Sequence, residues 1–308
     1  MKITIDEQIN QRIDQFLSDY YEDISRSKLS SLIKNGDVLV NDKKVKPSYI
    51  VNNNDEISID LSALDIKPIL AENLPIEIVY QDDDIAIINK PIDIISHPTE
   101  KIRSNTVVNF LLSKFENLPT LNGEDRAGIV HRLDKDTSGL MIVALNEESM
   151  KQLKKMFQNR NIIKKYRAIV NNRFSENEGV IEKNISRNMS NRKLMAISED
   201  GKYAKTAYKV LKQTSEYAYL DIDLFTGRTH QIRVHMKSIN HPILGDADYN
   251  NIKSKYNISA QLLQAYRLEF DHPITKKHMK VEIPMYPEFK KYYNIIFEVQ
   301  DESRNTNL

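Results

Sequence analysis

Residues 128–141 read GIVHRLDKDTSGLM, and they set two carboxylates, three basic or imidazole side chains and two hydroxyls between apolar residues. The flanking apolar residues predict a loop that joins two hydrophobic strands, the second of them at residues 139–145. An ordinary turn needs glycine or asparagine and little else. The density of polar groups therefore favours a functional loop, although a charged surface loop is the alternative explanation for any one of these residues.

A second polar run, TGRTHQIRVHM, occupies residues 226–236. It follows residues 217–225, in which apolar and polar side chains alternate as they do in a half-buried strand. Ile232, Met236 and Ile239 recur at helical spacing, which predicts a helix over residues 228–239. The start of a helix favours anions, so this run is a candidate for contact with a negatively charged group.

The chain from residue 75 onward mixes strand-like and helix-like segments without the regular alternation of a doubly wound parallel sheet. We therefore expect an α+β fold whose catalytic domain has a central mixed, mostly antiparallel β-sheet flanked by helices. The predicted strands are residues 76–80, 85–89, 139–145, 166–170 and 217–225, and the predicted helices are residues 106–115, 147–158 and 228–239.

The first 61 residues have the pattern of a separate small α/β domain. Helices are predicted at residues 12–20 and 27–34, and Gly36 follows the second where a glycine commonly ends a helix. Residues 38–45 predict a hairpin that turns at residues 41–44, and Ile57 and Ile59 alternate in a last strand. We expect the domains to be residues 1–61 and 75–299, with a linker at 62–74 and a flexible tail at 300–308.

Composition excludes several classes of protein. The 308 residues contain no cysteine, which rules out disulfide scaffolds, thiolate zinc sites and cysteine nucleophiles. The chain has no glycine-rich dinucleotide motif and no phosphate-binding loop, and His230 and His235 are five residues apart, which does not align two ligands on one helix face. We therefore expect no metal and no cofactor. No run approaches eighteen apolar residues and the N-terminus does not resemble a secretory signal, so we expect a cytoplasmic protein that does not bind membranes.

The net charge of +1 hides two basic regions. Residues 151–212 hold sixteen Lys or Arg against five Asp or Glu, a local charge of +11. A second basic cluster lies between Arg26 and Lys46. A Lys-rich solvated surface explains the first region alone as well as a binding face does, but a nucleic acid is the simplest partner for both regions, because phosphate contacts supply most of its non-specific affinity.

Taken together, these motifs resemble the RluA/RluC/RluD family of RNA pseudouridine synthases. The two polar runs resemble the signature and a later motif of that family, and residues 165–168, KYRA, resemble its strand that bears an active-site tyrosine. Residues 88–91, INKP, and 241–246, HPILGD, extend the likeness, while Asp93, Asn240 and Gln264 replace two frequent glycines and a histidine. Residues 12–60 resemble an S-four-type RNA-binding domain.

The resemblance implies a reaction that detaches uracil from ribose, rotates it and rejoins it through carbon. Asp134 matches the catalytic aspartate of the family, Arg233 the arginine that pairs with it, and Tyr166 the residue that stacks on the flipped base. A nearby cation favours the ionised form of a sheltered carboxylate. Asp134 is then either a nucleophile or a base at the sugar, and Tyr166 either takes the proton from ring carbon five or, without the resemblance, is a core tyrosine.

The expected partner is RNA, with large-subunit ribosomal RNA as the expected substrate of a monomeric enzyme. Transfer RNA is one alternative substrate, and a non-catalytic RNA-binding or ribosome-assembly protein is the alternative function. The predicted RNA-binding residues are Arg26, Lys28, Lys34, Lys43, Lys44, Arg132, Lys165 and Arg228.

Overall fold

A computed structural model of the chain divides into two compact units, Met1–Pro68 and Ile69–Leu308. It describes residues 1–21, 24, 26–63, 68–99, 102–252 and 254–298. The predicted tail at 300–308 and residues 64–67 of the predicted linker lie outside the described residues. The domain limits expected from the sequence remain a proposal.

The first unit is a four-stranded antiparallel sheet with two helices. Its elements are β1 (Lys2–Thr4), α1 (Ile13–Tyr20), α2 (Arg26–Asn35), β2 (Val38–Val40), β3 (Lys43–Lys44) and β4 (Glu56–Ile59). The strand order is β1-β4-β2-β3, and the apolar faces of both helices are buried with the strands in one core. The hairpin turns at Asn41 and Asp42 alone, both with positive φ, as a two-residue hairpin requires. Lys43 and Lys44 therefore lie in a strand and not in the predicted four-residue turn.

The second unit is built around a nine-stranded mixed sheet. Its elements are β5 (Glu77–Gln81), β6 (Ile85–Lys90), α3 (Val107–Lys114), β7 (Ser138–Ala144), α4 (Glu147–Gln158), β8 (Ile163–Asn171), β9 (Glu178–Glu182), β10 (Ile185–Arg187), β11 (Met195–Ile197), β12 (Lys205–Gln213), β13 (Tyr217–Leu224), α5 (Gln231–Ser238), β14 (Leu263–Asp271), β15 (His278–Glu282) and α6 (Pro287–Tyr293). The strand order is β5-β6-β7-β14-β8-β13-β12-β9, and β15 pairs with β14. This mixed α+β architecture confirms the predicted fold class.

Strand β7 shows why the sheet lies between two apolar layers. All of its residues are buried. Met141 and Val143 belong to the core cluster that includes helix α3, whereas Leu140 and Ile142 belong to the cluster that includes helix α4. Side chains alternate between the two faces of a strand, so a continuous apolar run is what a sheet covered on both faces needs.

The pairing of β7 with β14 joins the two halves of the large sheet, which are β5-β6-β7 and β14-β8-β13-β12-β9. It is parallel, whereas the other pairings in this sheet among the described residues are antiparallel. At Gly139, φ is +122°, and an added Cβ would lie 2.1 Å from the backbone oxygen of Ala265. Because only glycine allows the two backbones to approach this closely, the pairing of β7 with β14 depends on Gly139.

Three predicted boundaries differ from the structure around the polar runs. The sequence predicted a strand before the loop at residues 128–137, but the structure has none there. Ile129 makes only an isolated bridge to Val143. Tyr166 lies inside β8 and does not begin it. Helix α5 begins at Gln231, three residues later than predicted, because His230 adopts a left-handed conformation.

Across the parts of the chain that the structure describes, no helix combines the length and the apolar character needed to cross a lipid bilayer.

Candidate active site

The loop that carries Asp134 is fixed through its backbone on both sides of that residue. The buried Ser96 hydroxyl donates to the carbonyl oxygen of Leu133 at 2.7 Å and accepts from its N–H at 3.1 Å. On the other side, the Lys90 ammonium donates to the carbonyl oxygen of Lys135 at 2.9 Å. These contacts fix where the Asp134 carboxylate lies before any substrate arrives.

Lys90 is the most deeply buried cation near this loop, with no exposed surface. Burial lowers the pKa of Lys90 to about 7, although Asp134 and Asp136 act in the opposite direction. Its ammonium also donates to the carbonyl oxygens of Pro91 and Ile94, both at 2.8 Å. A buried amine with three acceptors for its three protons is a structural anchor, and it ties the end of β6 to the Asp134 loop.

His131 anchors the start of the same loop to the sheet. Its Nε2 accepts the backbone N–H of Ile142 at 2.9 Å, and its ring packs on Phe157 with centroids 4.6 Å apart. Burial, with Lys164 adding to it, lowers the pKa of His131 to about 3. A neutral imidazole whose Nε2 accepts a hydrogen bond has no proton to exchange at that nitrogen. His131 therefore has a structural role.

The Arg233 side chain projects from α5 into a cluster of three carboxylates. Its Nε and Nη2 donate to the two oxygens of Asp246 at 2.7 and 2.8 Å, and Nη2 also donates to Asp248 at 2.8 Å. Its Nη1 reaches Asp134 at 3.4 Å, and its guanidinium lies 4.8 Å from the ring centroid of Tyr249. Burial alone would lower the pKa of Arg233, but the carboxylates raise it above its ordinary value. Arg233 therefore stays charged beside Asp134.

Asp246 and Asp248 are the site residues that sequence reasoning missed as partners of Arg233. The side chain of Asp246 is fully buried, and its Oδ1 accepts hydrogen bonds from the backbone N–H groups of Asp248 and Tyr249. A fork of two parallel hydrogen bonds fixes the orientation of a guanidinium. The only sequence signal was that Asp246 lies in HPILGD, a segment noted for its resemblance and not for its chemistry.

Tyr166 lies in the same cleft as Asp134. The residue is 6% exposed, and burial, together with the charge of Asp134, raises the pKa of its hydroxyl. A hydroxyl with a raised pKa keeps its proton at neutral pH. The ring is therefore available as an apolar surface, whereas the phenolate form is disfavoured.

Lys165 does not lie in this cleft, which argues against its predicted contact with RNA. Consecutive residues of a strand point to opposite faces of the sheet, so Lys165 points away from Tyr166. Its ammonium pairs with Asp221 at 2.9 Å and Asp223 at 3.0 Å. The charge that suggested phosphate binding is compensated by these two carboxylates.

The cleft has apolar walls, a carboxylate on one side and exposed arginines at its border. Arg132 and Arg228 are exposed, and the Nε of Arg228 donates to the carbonyl oxygen of Tyr203 at 3.0 Å. The lining residues are Arg132, Leu133, Asp134, Thr137, Tyr166, Leu224, Gly227, Arg228, Thr229, His230, Gln231, Ile232, Arg233 and Leu263. The structure thus brings Asp134, Tyr166 and Arg233 together with two of the predicted RNA-binding residues.

The basic residues predicted in the first unit differ in their availability. Arg26 pairs with the buried Asp14 at 3.0 Å, as does Arg12. Burial would raise the pKa of Asp14, but the two guanidinium groups lower it. Arg26 is therefore engaged within the domain, whereas Lys34, Lys43 and Lys44 are exposed, and Lys28 is half-buried.

One group of side chains in the described residues has the spacing of a metal site, although the sequence predicted none. Ligand atoms of Asp82, Asp84 and His272 lie within 4.8 Å of one another. Asp82 already accepts hydrogen bonds from Tyr80 and from the backbone of Ile85, and His272 contacts Asp82 at 3.0 Å. These bonds account for the group as a stabilised turn.

Two family models match the chain. The model of RNA pseudouridylate synthase matches residues 84–238, and that of the S4 domain matches residues 11–57. The first range contains Asp134, Tyr166 and Arg233 of the cleft described above.

Curated relatives match over nearly their whole length. An uncharacterized RNA pseudouridine synthase, YlyB, of Bacillus subtilis is 37% identical over 91% of this chain and 92% of its own. Another, from Aquifex aeolicus, is 39% identical over 94% of both chains. The ribosomal large subunit pseudouridine synthase D of Vibrio parahaemolyticus is 38% identical over 91% of this chain and 89% of its own.

A solved structure supports the fold of the second unit. The human RNA pseudouridylate synthase domain containing 1 protein superimposes with a TM-score of 0.58 and 25% identity, covering 73% of this chain and 89% of its own. The family model, the full-length relatives and this fold agree with the resemblance read from the motifs. The chain belongs to the RNA pseudouridine synthase family and carries an N-terminal S-four-type RNA-binding domain.

Proposed function

We propose that this enzyme isomerises specific uridines to pseudouridine in large-subunit ribosomal RNA. The observation that carries the proposal is the cleft in which a carboxylate, a buried arginine and a tyrosine ring meet. Several relatives at about 38% identity are named for the large ribosomal subunit, which favours ribosomal over transfer RNA. Ribosomal RNA as substrate also fits the expected cytoplasmic location.

Asp134 is the group that we assign to the chemical step. The reaction breaks the bond from C1′ to N1 and forms one from C1′ to C5, while C5 loses a proton and N1 ends with one. No electrons are transferred and no water is consumed, so a carboxylate at the sugar meets the chemical need, either as a nucleophile or as a base. The Asp134 side chain is 17% exposed, which keeps it within reach of a nucleotide that enters the cleft.

Arg233 supports Asp134 electrostatically and does not transfer protons. Its strongest contacts are to Asp246 and Asp248, and the 3.4 Å contact to Asp134 is the longest of the four. Asp134 is therefore close to a fixed positive charge but not closely bound by it. A carboxylate held in this way is free to approach a sugar carbon.

Tyr166 contributes the surface on which the displaced uracil stacks. Enzymes that act on a base inside folded nucleic acid must first extrude it and hold it between apolar side chains. Leu133, Leu224 and Leu263 line the same cleft as Tyr166 and supply apolar wall. Because the hydroxyl of Tyr166 holds its proton tightly, a stacking role fits the site better than a general-base role.

Phosphate contacts are assigned to exposed cations that have no carboxylate partner among the described residues. Arg132 and Arg228 border the cleft, and Lys34, Lys43 and Lys44 are exposed on the S-four-type domain. Arg26 and Lys165 are withdrawn from the set, because each is held by carboxylates of its own domain.

The proposal is tested by release of tritium from carbon five of uridine in transcribed RNA. We expect the purified enzyme to release tritium from large-subunit ribosomal RNA and not from transfer RNA. Mapping pseudouridines in ribosomal RNA of a deletion strain would then identify the modified positions. Release from transfer RNA alone would identify transfer RNA as the substrate in place of ribosomal RNA. No release from any RNA would overturn the proposed activity.

A further inference from the structure

His230 lies in the cleft in a backbone conformation that side chains other than glycine rarely adopt. Its φ is +54° and its ψ is +20°, a left-handed conformation that is uncommon for a residue with a side chain. Such conformations persist where the surrounding structure holds them, and they cluster at functional sites. Here the conformation ends the loop after β13 and directs the imidazole into the wall of the cleft, as one of its lining residues.

The loop that bears His230 is held by its neighbour Gln231. The side-chain oxygen of Gln231 accepts from the Thr226 hydroxyl at 2.7 Å and from the backbone N–H of Arg228 at 3.0 Å. Its amide nitrogen donates to the carbonyl oxygen of Lys205 at 3.0 Å. Gln231 is itself buried, so the loop is a rigid support and His230 is presented in one orientation.

Hydrogen bonds also fix which nitrogen of His230 carries the proton. The Tyr249 hydroxyl oxygen accepts the backbone N–H of Met195 at 2.7 Å and lies 2.7 Å from Nδ1 of His230. Among the described residues the hydroxyl has no other acceptor for its hydrogen, so it donates to Nδ1. Burial lowers the pKa of His230, and Arg233 adds to this against the pull of Asp134. A neutral ring that accepts at Nδ1 carries its proton on Nε2.

The Nε2–H of His230 is thus a donor fixed in direction, on the wall of a cleft that also holds Asp134 and Tyr166. Within the described parts of the chain it has no hydrogen-bond partner. We propose that His230 donates this hydrogen bond to a carbonyl oxygen of the uracil ring, and that Tyr249 is the positioning residue that sets its tautomer. This inference rests on the proposed function.

A fixed donor also gives the site a means of selecting its base. Uracil presents acceptors at O2 and O4, whereas cytosine presents an amino group in place of O4. A site with a fixed N–H cannot pair with that amino group, and unpaired polar groups in a closed site carry a large cost. His230 is therefore a specificity-determining residue if the contact is to O4, and an orienting residue if it is to O2.

Two substitutions separate the two nitrogens of the ring. Asparagine tolerates the left-handed conformation, and His230→Asn ends near the position of Nδ1, so it keeps an acceptor for Tyr249 and loses the donor. His230→Gln reaches the position of Nε2 and can supply an amide N–H. We expect kcat/KM to fall about 3- to 10-fold in the asparagine variant, the range of one hydrogen bond, and to recover partly in the glutamine variant.

The substrate is altered in parallel, with 2-thiouridine or 4-thiouridine at the target position. Sulfur is a weak acceptor, so the wild-type enzyme should lose a similar factor with the thio-substrate whose oxygen is contacted. The asparagine variant should lose nothing further with that substrate, and this identifies O2 or O4. The contact does not exist if the loss in kcat/KM from His230→Asn and the loss from the thio-substrate multiply for both substrates. It also does not exist if the glutamine variant has no higher kcat/KM than the asparagine variant.

The role of Tyr249 is tested by nitrogen NMR of the His230 ring. In the wild type we expect the proton on Nε2, and in Tyr249→Phe a mixture of tautomers with an intermediate loss in kcat/KM. A purely structural role of Tyr249 would leave the tautomer unchanged, and a wild-type proton on Nδ1 would overturn the inference. If wild-type enzyme makes no pseudouridine at all, the proposed function fails instead, and the two failures are therefore distinguishable.

Discussion

At the scale of single residues, the position of Asp134 depends on contacts that its own side chain does not make. Ser96 and Lys90 bind the backbone on either side of it, and among the described residues the carboxylate itself makes one long contact, to Arg233. A side chain positioned through its backbone can lose its charge without loss of the fold.

We therefore expect Asp134→Asn to abolish detectable pseudouridine and to leave folding intact. Affinity for RNA should stay within about tenfold of wild type, or roughly 1.4 kcal/mol, because the amide keeps the shape of the carboxylate. Tritium release, RNA binding and thermal unfolding measure the three quantities. Asp136→Asn in the same loop is the matched control and should retain activity, and turnover in purified Asp134→Asn would remove the assignment.

Tyr166 allows its ring and its hydroxyl to be tested separately. Tyr166→Ala should weaken binding of the flipped nucleotide by about 1–3 kcal/mol, the value of stacking one base on an aromatic ring. Tyr166→Phe keeps the ring, and if the tyrosine acts by stacking, the rate should stay close to that of wild type. A Phe variant that binds RNA normally but is slower by a hundred- to ten-thousandfold would instead establish the hydroxyl as a general base.

At the scale of elements, the two halves of the large sheet meet where β7 runs parallel to β14. The approach of the two backbones depends on Gly139, whose φ of +122° disfavours any side chain. Asp134 precedes β7, so the same strand that joins the halves also fixes the end of the loop that carries Asp134.

Gly139→Ala should consequently be among the most damaging single substitutions in the chain. The added methyl group meets backbone atoms of Ala265 that cannot rotate away, and large losses of stability follow from such overpacking and backbone strain. We expect a loss of about 3 kcal/mol or more in the free energy of unfolding, measured by denaturant titration. Gly123→Ala is the matched control, because φ is also positive there but no atom lies within 4 Å, and equal losses in the two variants would contradict a packing cause.

At the scale of the whole molecule, the two units have separate cores. Asp134, Tyr166 and Arg233 all belong to the unit Ile69–Leu308, whereas the exposed lysines of the S-four-type domain belong to Met1–Pro68. This division predicts that the small domain determines affinity and choice of target and not the chemical step.

A protein that begins at Ile69 should still convert uridine in a short RNA at high concentration. It should bind ribosomal RNA more weakly and with a shallower dependence on salt, because fewer phosphates are neutralised. The full-length chain with Lys34, Lys43 and Lys44 changed to Ala should show the same shallower slope without loss of a domain. Equal salt slopes for the wild type and both variants would contradict a phosphate-binding role.

Local sequence determined those elements that are stabilised by residues close to one another in the chain. Helix α4 was predicted at 147–158 and found there, because Asn146 caps it and its apolar residues share one face. Asp93 and Asn240, which the resemblance marked as replacing frequent glycines, both have positive φ, because the turns require it whatever the residue. The motifs also indicated the family, whose model matches residues 84–238 and so includes both polar runs.

Tertiary structure alone decided which charges are paired and which elements complete the sheet. Arg26 and Lys165 carry the same charge as Lys34 and Lys43, yet the fold places Asp14, Asp221 and Asp223 beside the first two. Strands β12 and β14 were not predicted, because their polar residues break the apolar pattern and their stability comes from pairing with β13 and β8. Likewise Asp246 became the main partner of Arg233, and Tyr249 the partner of His230. Ion pairs and strand pairings depend on distances between segments far apart in the chain, and such distances are set only when the core packs.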